Sequence, residues 1–253
     1  MRHAVIMLVA ISCLSVFALT QTAEELVNKN IQAKGGVDKI KTIKSVRMTG
    51  KLNAGGGFIA AVTQENVRPD LVRETFSLQG MTAVQAYDGS SGWQIQPFGG
   101  HKDPELMGED DLRDVLLDAD FDGPLVDYKE KGNTVEYLGH DEVDGDDALR
   151  LKVTLKNGDI IYYYLDPDTY LEIRKEIQQF IRGSIRDRVV ELGSYKAVGG
   201  VMYPFSLSQG PKNNPTAQTT TVEKLEVNVP IPISDFALPA SLKQAAKPDA
   251  EKK

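Results

Sequence analysis

The chain is nearly without cysteine: Cys13 is the only one in 253 residues, which excludes an intramolecular disulfide framework and a thiolate metal site. Histidine is almost as scarce. Beyond His3 there are only His101 and His140, neither with a second histidine three or four residues away, so a zinc site is not indicated. No G-x-S-x-G occurs, and Gly55-Gly56-Gly57 lies between two extended runs rather than at the start of a helix, so it is a loop and not a phosphate cradle. Positive charge is also short. A formal charge of -7 and a pI near 5.1 leave no basic face for nucleic acid and no polybasic anchor for anionic lipid. Acids are plentiful, but no spacing singles out a pair for acid–base work. Asp118-Ala119-Asp120-Phe121-Asp122-Gly123 opens like a calcium loop. Its seventh position is Pro124, however, and its twelfth is Lys129 where a bidentate Glu belongs, so it reads as a solvated acidic helix end. No enzyme, cofactor or metal is expected.

What is present begins with an apolar run. Arg2 and His3 precede Ala4 to Leu19, and polar Thr20, Gln21 and Thr22 follow, which is the layout of a secretory signal peptide over residues 1–20. A cut after Ala18 or Thr20 fits. A retained anchor is the alternative, although the run falls short of the roughly 20 residues that span a bilayer. A lipoprotein cut at Cys13 fits poorly, because Cys13 sits in mid-run. Cleavage would remove the only thiol and leave a net charge of -8, since Arg2 leaves with it. Export to a periplasm is the expected localisation.

The body, 21–239, reads as one domain. Thr22-Ala23-Glu24-Glu25 is a capping box opening a helix that Gly35-Gly36 stops, and Val37, Ile40 and Ile43 suggest a second, short helix. From Val46 the period becomes two, with turns at 53–57, 68–70, 79–80 and 88–92. Residues 104–119, starting at Pro104, predict an acidic helix, with a second helical piece over 125–131. Strands resume around Leu149, Leu151, Val153 and Leu155; Asp144-Gly145 looks like a hairpin tip, and Asn157-Gly158 signals a type I′ turn. About ten antiparallel strands at this spacing describe a single sheet large enough to curl. Residues 240–253 read as a disordered tail.

The positive signal for function is apolar. Several strands carry large apolar side chains on both faces, and helices can cover only one. The candidate lining of an apolar cavity is Phe58, Phe76, Leu78, Val84, Trp93, Ile95, Leu151, Val153, Tyr162 and Tyr164. If helices fill the concave side, these residues are core instead.

The order of parts resembles the LolA/LolB-like lipoprotein carriers, in particular the outer-membrane lipoprotein-sorting proteins. The residues that carry the resemblance run from Glu24-Glu25-Leu26-Val27 through Gly35-Gly36-Val37-Asp38 to Met48-Thr49-Gly50. Further matches are Arg68-Pro69-Asp70-Leu71, Gln85-Ala86-Tyr87-Asp88-Gly89 with Gly92-Trp93, Gly123-Pro124-Leu125-Val126, Tyr162-Tyr163-Tyr164-Leu165-Asp166 and Gly199-Gly200-Val201-Met202-Tyr203-Pro204. The resemblance implies a mainly β (α+β) fold: a large curved antiparallel sheet forming an unclosed half-barrel, covered by a few helices. It implies lipoprotein acyl chains or other lipid as cargo, an inner-membrane ABC transporter as donor and an outer-membrane acceptor as recipient. A monomer is expected. Segment 98–133 is longer than in the compact carriers, and no residue here matches the family's functional arginine; Arg47 and Arg73 are strand arginines near the expected lid. The alternatives are a sensing domain on the same fold, binding misplaced lipoproteins and a signalling partner, and more remotely a hydrolase.

Overall fold

The computed structural model describes residues 21–181 and 183–245. The expected signal peptide lies outside the described residues. The N-terminal helix α1 (Ala23–Ala33) is capped as its sequence requires: the Thr22 hydroxyl accepts from the Glu25 amide, and the Glu25 carboxylate accepts from the Thr22 amide at 2.9 Å. A short helix α2 (Val37–Thr42) follows.

Strands then run β1 (Ser45–Asn53), β2 (Ile59–Val67), β3 (Leu71–Leu78), β4 (Met81–Tyr87), β5 (Gly92–Gln96) and β6 (His101–Leu106). Helix α3 (Glu109–Ala119) interrupts them. After it come β7 (Thr134–Val143), β8 (Asp146–Thr154), β9 (Ile160–Leu165), β10 (Glu172–Ile181) and β11 (Ser184–Gly193). The chain continues through β12 (Lys196–Val198), β13 (Val201–Tyr203), β14 (Ser206–Gly210) and β15 (Gln218–Val227), and the described part ends in α4 (Ala240–Ala245).

Among the described residues thirteen strands form one antiparallel sheet, ordered β6-β5-β4-β3-β2-β1-β15-β14-β11-β10-β9-β8-β7, and β12 and β13 form a separate hairpin. The end strands β6 and β7 do not pair, so the sheet is curled but unclosed. Its two meanders are joined where β1 meets β15, and the register shifts there between Thr49 and Gly50. A Cβ on Gly50 would lie 2.2 Å from the Thr221 carbonyl oxygen, so the close approach of the two strands requires glycine.

One face of the sheet carries the helices. Leu26 and Val27 of α1 pack on Leu149, Leu151, Val153, Ile161, Tyr163 and Leu165, the main core. Val115 and Ala119 of α3 pack on Val72. The other face carries the C-terminal segment: Leu238 and Leu242 lie on Val84, Ala86, Trp93 and Ile95.

Five local features differ from expectation. Pro104 and Leu106 lie on β6, not on the acidic helix, which starts at Glu109. The pairing of Trp93 with Leu106 wins over the local helix signal. Residues 125–131 make hydrogen-bonded turns rather than a helix, and the strands resume earlier than expected, at β7 rather than around Leu149. At Asn157-Gly158 only the glycine has positive φ (88°), whereas a type I′ turn needs two such residues. Residues 240–245 of the expected tail form a helix, because Leu242 has an apolar surface to cover, and 246–253 lie outside the described residues.

Candidate functional site

A cavity of about 400 Å³ lies beneath α3, walled by both meanders. Met48 of β1, Val62 of β2 and Phe76 of β3 line one side; Ile161, Tyr163, Ile177, Val190 and Leu207 line the other; Val115 and Leu117 of α3 form the roof. Strands from both halves surround the same space, so the helix-bearing face is the concave one.

The cavity is not wholly apolar. Glu74, Gln85, Asp114, Asp118, Lys175 and Arg188 share its lining. Both cations have acidic partners: Arg188 Nη2 is 3.2 Å from Asp114 Oδ1, and Lys175 Nζ is 3.1 Å from Glu172 Oε2. Burial alone would push the Glu172 carboxyl up, but the ammonium groups of Lys175 and Lys34 outweigh it and hold the group at about 2. Among the described residues Glu74 has no such ion pair. Burial, with the charge of Asp118 adding and Arg188 opposing, pushes its carboxyl up to about 8. Burial also raises Asp118, Arg188 opposing and Asp114 adding; this side chain keeps surface open to the cavity while protein walls it round. The site therefore combines an apolar wall with two acids held towards their neutral form.

The ten residues expected to line one cavity are not brought together. Phe76 lines it. Leu151 and Val153 are fully buried on the same concave face, but under α1, where they are filled core. Leu78 is half-buried at the end of β3, and Phe58 stands exposed at the turn before β2. Val84, Trp93 and Ile95 lie on the convex face beneath the C-terminal segment. Tyr162 and Tyr164 are convex too, packed with Val143, Ala148 and Ile173, and the Arg150 guanidinium sits 4.5 and 5.3 Å from their ring centres. The period-two reading separates odd from even positions but does not tell which set curls inward. The concave positions are marked by the cross-strand pair Val62–Phe76 and by Ile161 and Tyr163, which alternate with Tyr162 and Tyr164.

The strand arginines near the expected lid are also convex: Arg47 Nε and Arg73 Nη1 lie 2.8 and 3.4 Å from the two oxygens of Glu65. The arginine that ties helix to sheet is Arg68. It donates through Nε to the Ile43 carbonyl and through Nη2 to the Ile40 carbonyl, pairs with both oxygens of Asp122, and stacks on Phe121. Lys41 also holds Asp122 at 2.8 Å, and Lys131 holds Asp120 at 2.5 Å. Asp120 and Asp122 of the calcium-like stretch are thus ion-paired rather than merely solvated, and Asp118 faces the cavity. Among the described residues no group of three or more His, Cys, Asp or Glu side chains could hold a metal ion.

Known structures share this fold. A DUF1329 family protein from Desulfovibrio piger superposes with a TM-score of 0.58 at 13% identity, covering 86% of this chain and 98% of the other. The fold is LolA-like. A putative outer membrane lipoprotein-sorting protein domain from Vibrio parahaemolyticus gives a TM-score of 0.55 at 11% identity, over 85% of this chain and 95% of that one. A LolA superfamily protein from Nitrosomonas europaea gives 0.54 at 10% identity, over 87% and 99%. No protein-family model matches the sequence, and no curated protein matches it. The LolA-like fold is therefore established by shape at identities where sequence comparison is silent.

Proposed function

We propose that this protein is an exported, non-enzymatic carrier that shelters acyl chains of lipoproteins or other lipid in the concave cavity during transfer towards an outer membrane. The observation that carries the reading is the cavity beneath α3, bounded by apolar side chains from both meanders. Its likeness in fold to a lipoprotein-sorting domain adds support. An acyl chain gains about 0.8 kcal/mol per buried CH₂, so transit through water favours such a shelter. Donor and acceptor at the two membranes follow from this reading.

The test is saturation binding of a fluorescent fatty acid and of a triacylated peptide to the purified protein, with mass spectrometry of co-purifying lipid. Phe76→Asp, which places a charge on the cavity wall, should abolish binding, whereas Tyr164→Asp on the convex face should spare it where the variant folds. Absence of any bound lipid and of any probe binding would overturn the proposal.

A further inference from the structure

The antiparallel order sends six connections to one end of the sheet: 54–58, 79–80, 97–100, 155–159, the link from β10 to β11, and 211–217. Large apolar side chains stand exposed at four of them. Phe58 (56% exposed) and Ile59 flank the first, Met81 the second, Phe98 lies in the third, and Phe180 (61%) and Ile185 (67%) face each other across the fifth. The remaining two turns bring Lys156 and Lys212. Along the sheet the tips thus run apolar, apolar, apolar, Lys212, apolar, Lys156, and the curl of the sheet sets them on one rim.

The charge is distributed to match. Turns 54–58, 79–80 and 97–100 contain no charged residue. The turns at the opposite end carry Asp88, Asp144, Asp166 and Asp168. The turns 54–58, 79–80, 97–100, 155–159 and 211–217 hold a single acid, Asp159, which is buried and paired with Arg113 at 2.6 Å, so no acidic side chain of these turns is exposed on the apolar rim.

We propose that this rim docks the protein on a phospholipid bilayer, its phenylalanine and isoleucine side chains entering the headgroup region. Protein partners bury continuous patches. Here the apolar side chains sit on separate hairpin tips at one end of the sheet, an arrangement suited to insertion at separate points of a lipid surface. Aromatic rings favour that depth, and anionic phosphates repel the acidic end while tolerating the lysine-bearing tips. The inference goes beyond the carrier reading, because docking needs no ligand in the cavity.

The experiment is co-flotation of the protein, purified after export in the form the cell processes, with vesicles of phosphatidylethanolamine and phosphatidylglycerol. The variant F58S/F180S removes two side chains that are more than half exposed, so the core is untouched; M81S/I185S is a second, independent variant. Ile233→Ser is the control, since Ile233 is 57% exposed but follows β15 at the opposite end. Partition should fall roughly tenfold for each phenylalanine removed and stay unchanged in the control. The proposal is overturned if wild type does not float, if both double variants float as wild type does, or if the control loses as much. It is equally overturned if the rim variants convert a dimer to a monomer in sedimentation without changing flotation, which would make a second copy the occupant. Acyl-probe binding without vesicles, measured on the same variants, reports the cavity separately.

Discussion

The indole Nε1 of Trp93 donates to the carbonyl oxygen of Phe236 at 2.9 Å, tying the C-terminal segment to the convex face of β5. Both residues are buried, and Leu238 and Leu242 continue the contact over Val84 and Ile95. The segment covers apolar surface near the β6 edge of the sheet. Trp93→Phe keeps most of the ring contact and leaves a buried carbonyl without its donor. We expect a loss of about 1–2 kcal/mol by urea denaturation, against about 3–5 kcal/mol for Trp93→Ala, which also opens a cavity. Equal losses for the two variants would show that the hydrogen bond, rather than packing, anchors the segment.

A second prediction concerns the hub at Arg68. Its guanidinium joins α2, the end of β2 and the segment after α3, and Asp122 is nearly buried beneath it. Arg68→Met leaves Asp122 with Lys41 alone, and a loss of about 3 kcal/mol is expected. Burial works against ionisation of Asp122, but hydrogen bonds from Arg68 and Lys41 prevail and hold its carboxyl low. A lowered folded pKa stabilises above the ordinary aspartate value and loses that contribution as pH falls through the folded one. The gap in urea midpoint between wild type and Arg68→Met should therefore narrow from pH 7 to pH 3.

The seam between the two meanders supplies a third. Gly50→Ala would set a Cβ 2.2 Å from the Thr221 carbonyl oxygen, and backbone cannot move aside as a flexible side chain can. The strands must separate where the sheet makes its bulge. A loss above about 2 kcal/mol is expected in thermal or urea unfolding. Gly57→Ala, with nothing within 4 Å but a positive φ of 83°, should cost only about 1 kcal/mol.

What was legible in the sequence was whatever is decided within a few residues. The box of Thr22 and Glu25 is closed by partners three positions apart, and Asp144-Gly145 makes its tip from its own positive φ angles. The expected half-barrel, with helices on one face, also agrees with the observed sheet. Pro104 was misleading because pairing with β5 outweighs a local helix signal. The site was the least legible part. Tyr163 and Tyr164 are adjacent and equally apolar, yet Tyr163 lines the concave cavity and Tyr164 lies under Arg150 on the convex face. Which parity faces inward is set by curvature and by where α1 and α3 pack, both long-range facts. Residues such as Glu74 and Asp118, separated in sequence, meet only when α3 crosses the sheet.

The last prediction concerns Glu74, whose carboxyl is raised from 4.5 to about 8 by burial first and by Asp118 second. Between those two values the folded protein holds a proton that the unfolded chain has released. Stability must then fall as pH rises across that window, since the folded state binds more protons. Glu74→Gln keeps the shape and hydrogen-bonding reach of the neutral acid and cannot ionise. At pH 4 the variant should match wild type, and at pH 9 it should be more stable by something on the order of 2–4 kcal/mol. Urea unfolding at pH 4, 6, 8 and 9 reads the difference, which should grow up to about pH 8 and then level off. A constant difference across the series would mean that Glu74 ionises normally and that its side chain reaches water outside the cavity.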